Sequence, residues 1–219
     1  MKSIYSTVLT LIFFTISCNS NTTNKDNSHK EQLTQEQLET YETAYFASGC
    51  FWCVEAIFES VKGVKEVVSG YAGGKASTAN YKLVSAGRTD HAEAVKVYYD
   101  AKVVSYKTLV KVFFGSHDPT TLNRQGPDAG RQYRSAIFYK NAKEKQIVET
   151  YINQLKKDKV FNGEITTEVV KYTAFYDAEG YHQDYEANNP NNPYIKGVSI
   201  PRLKRFQKKF PELLKKKAH

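Results

Sequence analysis

Two cysteines three residues apart, Cys50 and Cys53, flank the only tryptophan of the chain in Ser48-Gly49-Cys50-Phe51-Trp52-Cys53-Val54-Glu55. Thiols at that spacing carry redox chemistry. On a helix they share a face and lie within disulfide reach of one another. A cysteine at a helix start also meets the positive end of the dipole, so the Cys50 thiol is expected to be depressed toward a thiolate. A thiolate that attacks an oxidised centre needs a proton donor, and Glu93 in His91-Ala92-Glu93-Ala94-Val95 is the candidate. A carboxyl buried among those apolar neighbours would keep its proton to a higher pH. A glutamate on the wet side of the strand would not, and the alternation alone does not decide between them. Tyr81, Tyr133, Asp128 and His182 are further polar candidates, each with an ordinary loop role as its alternative.

Those residues need elements to hold them. The apolar stretch Tyr45 to Ala47 reads as a strand that breaks at Ser48-Gly49, and Phe51 to Lys62 as a helix with Val54, Ile57, Phe58 and Val61 inward. Cys50 then sits at the strand-to-helix junction. Val64 to Tyr71 and His91 to Tyr99 are strands, the latter alternating Glu93, Val95, Val97 and Tyr99 on one side. A polar loop, 76 to 90, holds Tyr81. Ser105 caps a helix from Tyr106 to Gly115. A long loop, His117 to Arg134, follows, and loops of that length in compact domains usually serve function. Strand Ser135 to Tyr139, helix Ala142 to Lys157, strand Ile165 to Thr173 and an irregular stretch Tyr176 to Asn189 complete the body. The expected class is α+β: a ferredoxin-like split βαβ plait with helices on one face and C-terminal additions.

The chain has 219 residues, 41% of them apolar, enough for one sizeable core. Its net charge of +8 is unevenly placed: Lys2 carries one charge and the segment from Arg202 to His219 a net seven. The body between is neutral, so a nucleic-acid role has no basic face to rest on. Leu203, Phe206, Phe210, Leu213 and Leu214 make that tail an amphipathic helix, interrupted at Pro211. Residues 1–17 have the shape of a secretory signal, and Thr15-Ile16-Ser17-Cys18 resembles a lipoprotein cleavage box, with Cys18 as the lipidated residue. Residues 18–40 read as a flexible tether and 41–219 as the catalytic domain. The expected location is the periplasmic side of a bacterial envelope, membrane-held only through the lipid. With Cys18 so used, Cys50 and Cys53 are the remaining cysteines, too few for a structural disulfide framework. Met1 is the only methionine.

Taken together, the motifs resemble the peptide methionine sulfoxide reductase A family. The resemblance runs through Gly49-Cys50-Phe51-Trp52, Gly70-Tyr71-Ala72-Gly73-Gly74, Tyr81 and Gly87 to Val95. It continues through His117-Asp118-Pro119-Thr120, Arg124 to Asp128, Gln132 to Ile137 and Tyr181-His182-Gln183. It implies reduction of methionine S-sulfoxide, free or in proteins, with no bound cofactor; a monomer is the default expectation. Cys50 matches the nucleophile, Glu93 the acid for the sulfoxide oxygen, Tyr81 and Tyr133 the hydroxyls that bind that oxygen. Phe51 and Trp52 match the wall of the methyl pocket, and Asp128 and His182 match residues lining the site. Many members carry glycine where Cys53 stands and keep resolving cysteines near the C-terminus; no cysteine follows Cys53 here. Either Cys53 or an outside thiol therefore resolves a Cys50 sulfenic acid; the helix spacing favours Cys53, and a thioredoxin-like dithiol is the expected reductant.

Two other readings compete. Strand, Cys-x-x-Cys and helix is also the arrangement of a thiol–disulfide oxidoreductase, which needs neither Glu93 nor paired tyrosines. A zinc module would add two of His91, His117 and His182 to the cysteines, at spacings that match no finger.

Overall fold

The computed structural model describes residues 33–216. The expected signal segment, Cys18 and the tether as far as residue 32 lie outside the described residues, as do residues 217–219. Regular structure begins inside the segment expected as tether, at α1 (Gln35–Glu39), where Thr34 and Gln37 form a capping box and Leu38 is buried. The compact unit accordingly starts at Leu33 rather than at residue 41.

From there the chain forms β1 (Glu42–Ser48), α2 (Phe51–Glu59), β2 (Val64–Ala72), α3 (Tyr81–Ser85), β3 (Ala92–Tyr99) and α4 (Tyr106–Gly115). A two-residue hairpin, β4 (Arg124–Gln125) with β5 (Asp128–Ala129), precedes β6 (Ser135–Tyr139), α5 (Ala142–Lys157), β7 (Glu168–Lys171) and β8 (Phe175–Asp177). The C-terminal part holds α6 (Tyr185–Asn188), a π-helical turn (Ile195–Ser199) and α7 (Ile200–Lys209). Six strands form one mixed sheet in the order β7-β6-β1-β3-β2-β8. Its neighbours run antiparallel except β6 and β7. The class is α+β, as expected.

Strand periodicity decides the faces. Ala44 and Phe46 of β1 and Val95, Val97 and Tyr99 of β3 enter the main core. There they meet Ile57 and Phe58 of α2, Leu109 and Phe113 of α4, Val148 of α5 and Phe206 of α7. Glu93 has the same parity as Val95, so it stands on this helix-covered side. The opposite face is built from Ala47, Ala72, Ala92, Ala94 and Ala136 and closed by Tyr172 and Phe175. Residues without bulk there let Tyr172 stack on Tyr45 with ring centroids 4.2 Å apart.

Helices α4 and α5 match their expected bounds, and Ser105 accepts from Thr108 N as its cap. Two stretches expected as loops contain structure: α3 and the β4–β5 hairpin. Both are too short for a periodicity to show; α3 is set by Asn80, whose Oδ1 accepts from Leu83 N at 3.1 Å. No helix among the described residues is long and apolar enough to cross a membrane.

Candidate active site

The β1–α2 junction places the thiols. Gly49 has φ +93°, and a Cβ there would lie 2.7 Å from the Cβ of Gln125, so both the backbone and the space require glycine. Cys50 follows as the N-cap of α2, with Cys53 in the first turn; both are free and buried. The positive helix end does not serve the Cys50 sulfur as expected. Phe51 N, the first helical amide, donates instead to Glu93 Oε2 at 3.1 Å. Burial, then the hydrogen bond and charge of Cys53, push the Cys50 thiol up. Cys53 is held down to about 6 by the hydrogen bond from Cys50 against the cost of burial, with help from the Arg202 charge, Ser199 and Tyr194. Two sulfurs thus share one proton, and the negative charge rests on the one facing the cation. This corrects the expectation of a depressed Cys50.

Glu93 behaves as expected. It is 2% exposed, and burial pushes its carboxyl up to about 8 although the Phe51 amide partly offsets this. A protonated carboxylic acid therefore stands beside the thiols at neutral pH. Tyr81 and Tyr133 are brought to the same place. Burial and then the charges of Glu93 and Cys50 push both phenols up, Tyr81 to about 12, so each is a hydroxyl donor under all ordinary conditions. Their positions are built, not incidental. Glu179 Oε1 accepts from Tyr81 N at the α3 start at 2.9 Å, and its Oε2 from Tyr71 OH at 2.7 Å. Gln132 Nε2 donates to Ser85 O at 3.0 Å, tying the turn that carries Tyr133 to the end of α3.

Phe51 and Trp52 form an aromatic wall. Tyr185 stacks on Trp52 at 3.7 Å and 8°. Trp52 Nε1 donates to His182 Nδ1 at 3.2 Å, and the His182 ring lies 5.0 Å from Phe51 and 4.3 Å from Tyr81. His182 is as deeply buried as Phe51, each 1% exposed, and packs directly against the wall. The segment carrying these rings is pinned by Glu55 and Gln183. Glu55 accepts from Asp184 N at 2.5 Å and from Ser69 Oγ; Gln183 exchanges two hydrogen bonds with the Ser69 backbone, of 2.9 and 3.0 Å.

Asp128 is half-buried and accepts from Tyr194 OH at 2.5 Å; the same hydroxyl lies 3.8 Å from Cys53 Sγ. Tyr194, Arg202, Glu55 and Tyr185 are functional positions that sequence reasoning missed. Glu55 stands in the organising motif itself, and Tyr185 in a stretch dense in Tyr, His and Asp; nothing local marks Tyr194 or Arg202. The histidines of the zinc reading do not gather at the cysteines: His91 Nε2 meets Lys75 O at 3.0 Å, His117 bonds Phe113 O and Ser135 Oγ, and His182 holds Trp52.

The family model for peptide methionine sulfoxide reductase matches residues 42–214. Peptide methionine sulfoxide reductase MsrA 2 of Synechocystis sp. is 51% identical over 175 residues, covering 80% of this chain and 82% of that protein. The MsrA of Pasteurella multocida is 46% identical, covering 78% and 98%. Among solved structures, reduced Mxr1 of Saccharomyces cerevisiae superposes with a TM-score of 0.65 at 34% identity, over 69% of this chain and 87% of that one. Methionine sulfoxide reductase A of Corynebacterium diphtheriae gives 0.62 at 37%, over 69% and 76%. With a buried thiol pair, a protonated carboxyl, two phenols and an aromatic wall in one place, the chain belongs to the peptide methionine sulfoxide reductase A family and is an enzyme of that activity.

Proposed function

We propose that the enzyme reduces methionine S-sulfoxide, free or within proteins, through Cys50, Glu93 and Cys53. The S-methyl group packs against Phe51 and Trp52, and the sulfoxide oxygen accepts hydrogen bonds from Tyr81 and Tyr133. Glu93 gives its proton to that oxygen, which leaves the sulfur electrophilic. Cys50 passes its shared proton to the Cys53 thiolate and attacks the sulfur. The S–O bond breaks, oxygen ends on Cys50 as a sulfenic acid, and methionine leaves. Cys53 then displaces water from the Cys50 sulfenic acid to form the disulfide. A thioredoxin-like dithiol reduces that disulfide by exchange, and no bound cofactor takes part. Asp128 and Tyr194 orient the Cys53 sulfur on the far side of Cys50.

The observation that carries this reading is the Glu93 carboxyl: buried, bonded to the amide next to Cys50, and pushed up to about 8. Disulfide exchange has no oxygen for such an acid to protonate and no role for the two phenols beside it. The central strand order β6-β1-β3-β2, antiparallel throughout, with α2 and α4 as the crossing helices, supports reading the core as the split βαβ plait. We further propose that residues 1–17 direct export and that Cys18 anchors a monomer to the outer side of a bacterial membrane, where it repairs oxidised envelope proteins.

The test is a thiol count and intact mass after one equivalent of methionine S-sulfoxide without reductant. One methionine formed, with two thiols and two hydrogens lost, supports the sequence of steps. Methionine formed with Cys53 still free overturns the resolving step, and no methionine formed overturns the reaction.

A further inference from the structure

A cavity of about 350 Å³ opens beside the Gly49 turn, where Gln125 and Arg202 approach it, and neither Glu93 nor the aromatic wall lines it. Ser116, His117, Asp118, Gln125, Arg202, Arg205 and Lys209 give it its polar lining. Arg202 is 7% exposed, yet both of its described hydrogen bonds go to neutral oxygens: Nε to Ser116 O at 2.8 Å and one Nη to Ser48 Oγ at 3.2 Å. Neither bond uses Nη1. The Arg202 charge is felt by Cys53 and Asp128, but neither accepts a described hydrogen bond from it, so the guanidinium keeps donor capacity toward the cavity.

The remaining polar groups sort by sign. Several side-chain acceptors are engaged elsewhere. Gln125 Oε1 accepts from Asp118 N at 2.9 Å, leaving its NH2 as the unused end. Asp118, the one acidic residue of the lining, accepts twice from Thr120 within its own turn, at 3.0 and 2.6 Å. His117 donates from Nδ1 to Phe113 O at 2.7 Å and accepts at Nε2 from Ser135 Oγ at 2.8 Å, so it is neutral and turned away. Apart from the exposed Asp118 carboxylate, what remains is a set of donors that outnumbers it: Arg202 at the floor, the Gln125 amide on the wall, and Arg205 and Lys209 exposed at the rim.

We propose that this cavity is a binding site for a tetrahedral oxyanion, phosphate or sulfate, seated on Arg202. The volume is on the order of ten water molecules, so the oxyanion has room to carry a substituent. A guanidinium fork with two further cations is the donor set that recognises such a group. The cavity is lined by none of Cys50, Glu93, Tyr81 or Tyr133, but it shares Arg202 with Cys53, so a bound oxyanion would weaken the charge that holds the Cys53 thiol down.

The test is a titration of the full chain with inorganic phosphate, sulfate and glycerol 3-phosphate at constant ionic strength, followed by calorimetry and by amide shifts of Ser116, Gln125 and Arg202. Saturable binding is expected, weakened about tenfold or more in Arg205→Glu/Lys209→Glu. Both positions are exposed, so that variant keeps the fold and the sulfoxide reductase activity. Tighter binding of the ester than of free phosphate would assign the oxyanion to a larger solute; the reverse would assign the free ion. Chloride competing equally with phosphate, or binding unchanged in the rim variant, would overturn the site. Failure to bind phosphate in a chain that still reduces sulfoxide overturns this inference alone; binding without reduction overturns only the proposed reaction.

Discussion

At the scale of single residues, the site is a problem of where protons rest. Glu93 holds its proton because burial costs a carboxylate more than the one Phe51 amide returns. The rate of the first turnover should therefore be bell-shaped, falling below about pH 6 where Cys53 can no longer take the Cys50 proton and falling again as pH rises through about 8 where Glu93 loses its own. Glu93→Gln should lose roughly 10²–10⁴-fold in sulfoxide reduction and lose that alkaline limb. Exchange with a small disulfide should survive in the same variant, and equal loss of both activities would favour the disulfide-exchange enzyme. Cys53→Ser should form one methionine per chain and stop, with Cys50 trapped as a sulfenic acid by dimedone. Continued dithiol-driven turnover at the wild-type rate would show that an outside thiol resolves Cys50.

At the scale of elements, Glu55 matters because it joins three of them: α2 beneath the thiols, Ser69 on β2 and the Asp184 turn that leads into Tyr185. Removing its carboxyl leaves the Asp184 amide without this acceptor, a cost of about 1–3 kcal/mol. Glu55→Ala should lower the melting temperature and change the emission of Trp52, since Tyr185 and His182 are held against that only indole by the same segment. Unchanged emission would mean that the segment is held by Gln183 alone. Burial also pushes the Glu55 carboxyl up to about 8 from 4.5. The folded state then binds more protons than the unfolded chain across that interval, so the group's contribution is complete below about 4.5 and is lost as pH rises through about 8. The stability of the wild type relative to Glu55→Gln should fall over that window, by thermal denaturation.

At the scale of the whole molecule, the far end of the chain completes the site. Arg202, on α7, bonds Ser48 immediately before the Gly49 turn, 154 residues away in sequence. Arg202→Met should raise the pH at which Cys53 becomes alkylated by iodoacetamide; an unmoved profile would show that the charge rests elsewhere. Cys18→Ala should release the protein from the membrane fraction of a host that lipidates exported proteins, and an unchanged distribution would remove the anchor. The alternation along β3 was enough to group Glu93 with Val95, Val97 and Tyr99, and helical spacing was enough to place Cys50 and Cys53 together, because both are local periodicities. Those same periodicities bounded α4 and α5. Which face of β3 the helices cover is not local, and it is what turned Glu93 from a strand residue into a buried acid. Nor could the chain around Cys50 reveal that Glu93 takes the helix-start amide, since that partner lies 42 residues on. The type and spacing of the reacting groups were legible in the sequence. Their protonation was decided by tertiary structure, because a pKa follows from burial and from charges that distant segments bring together.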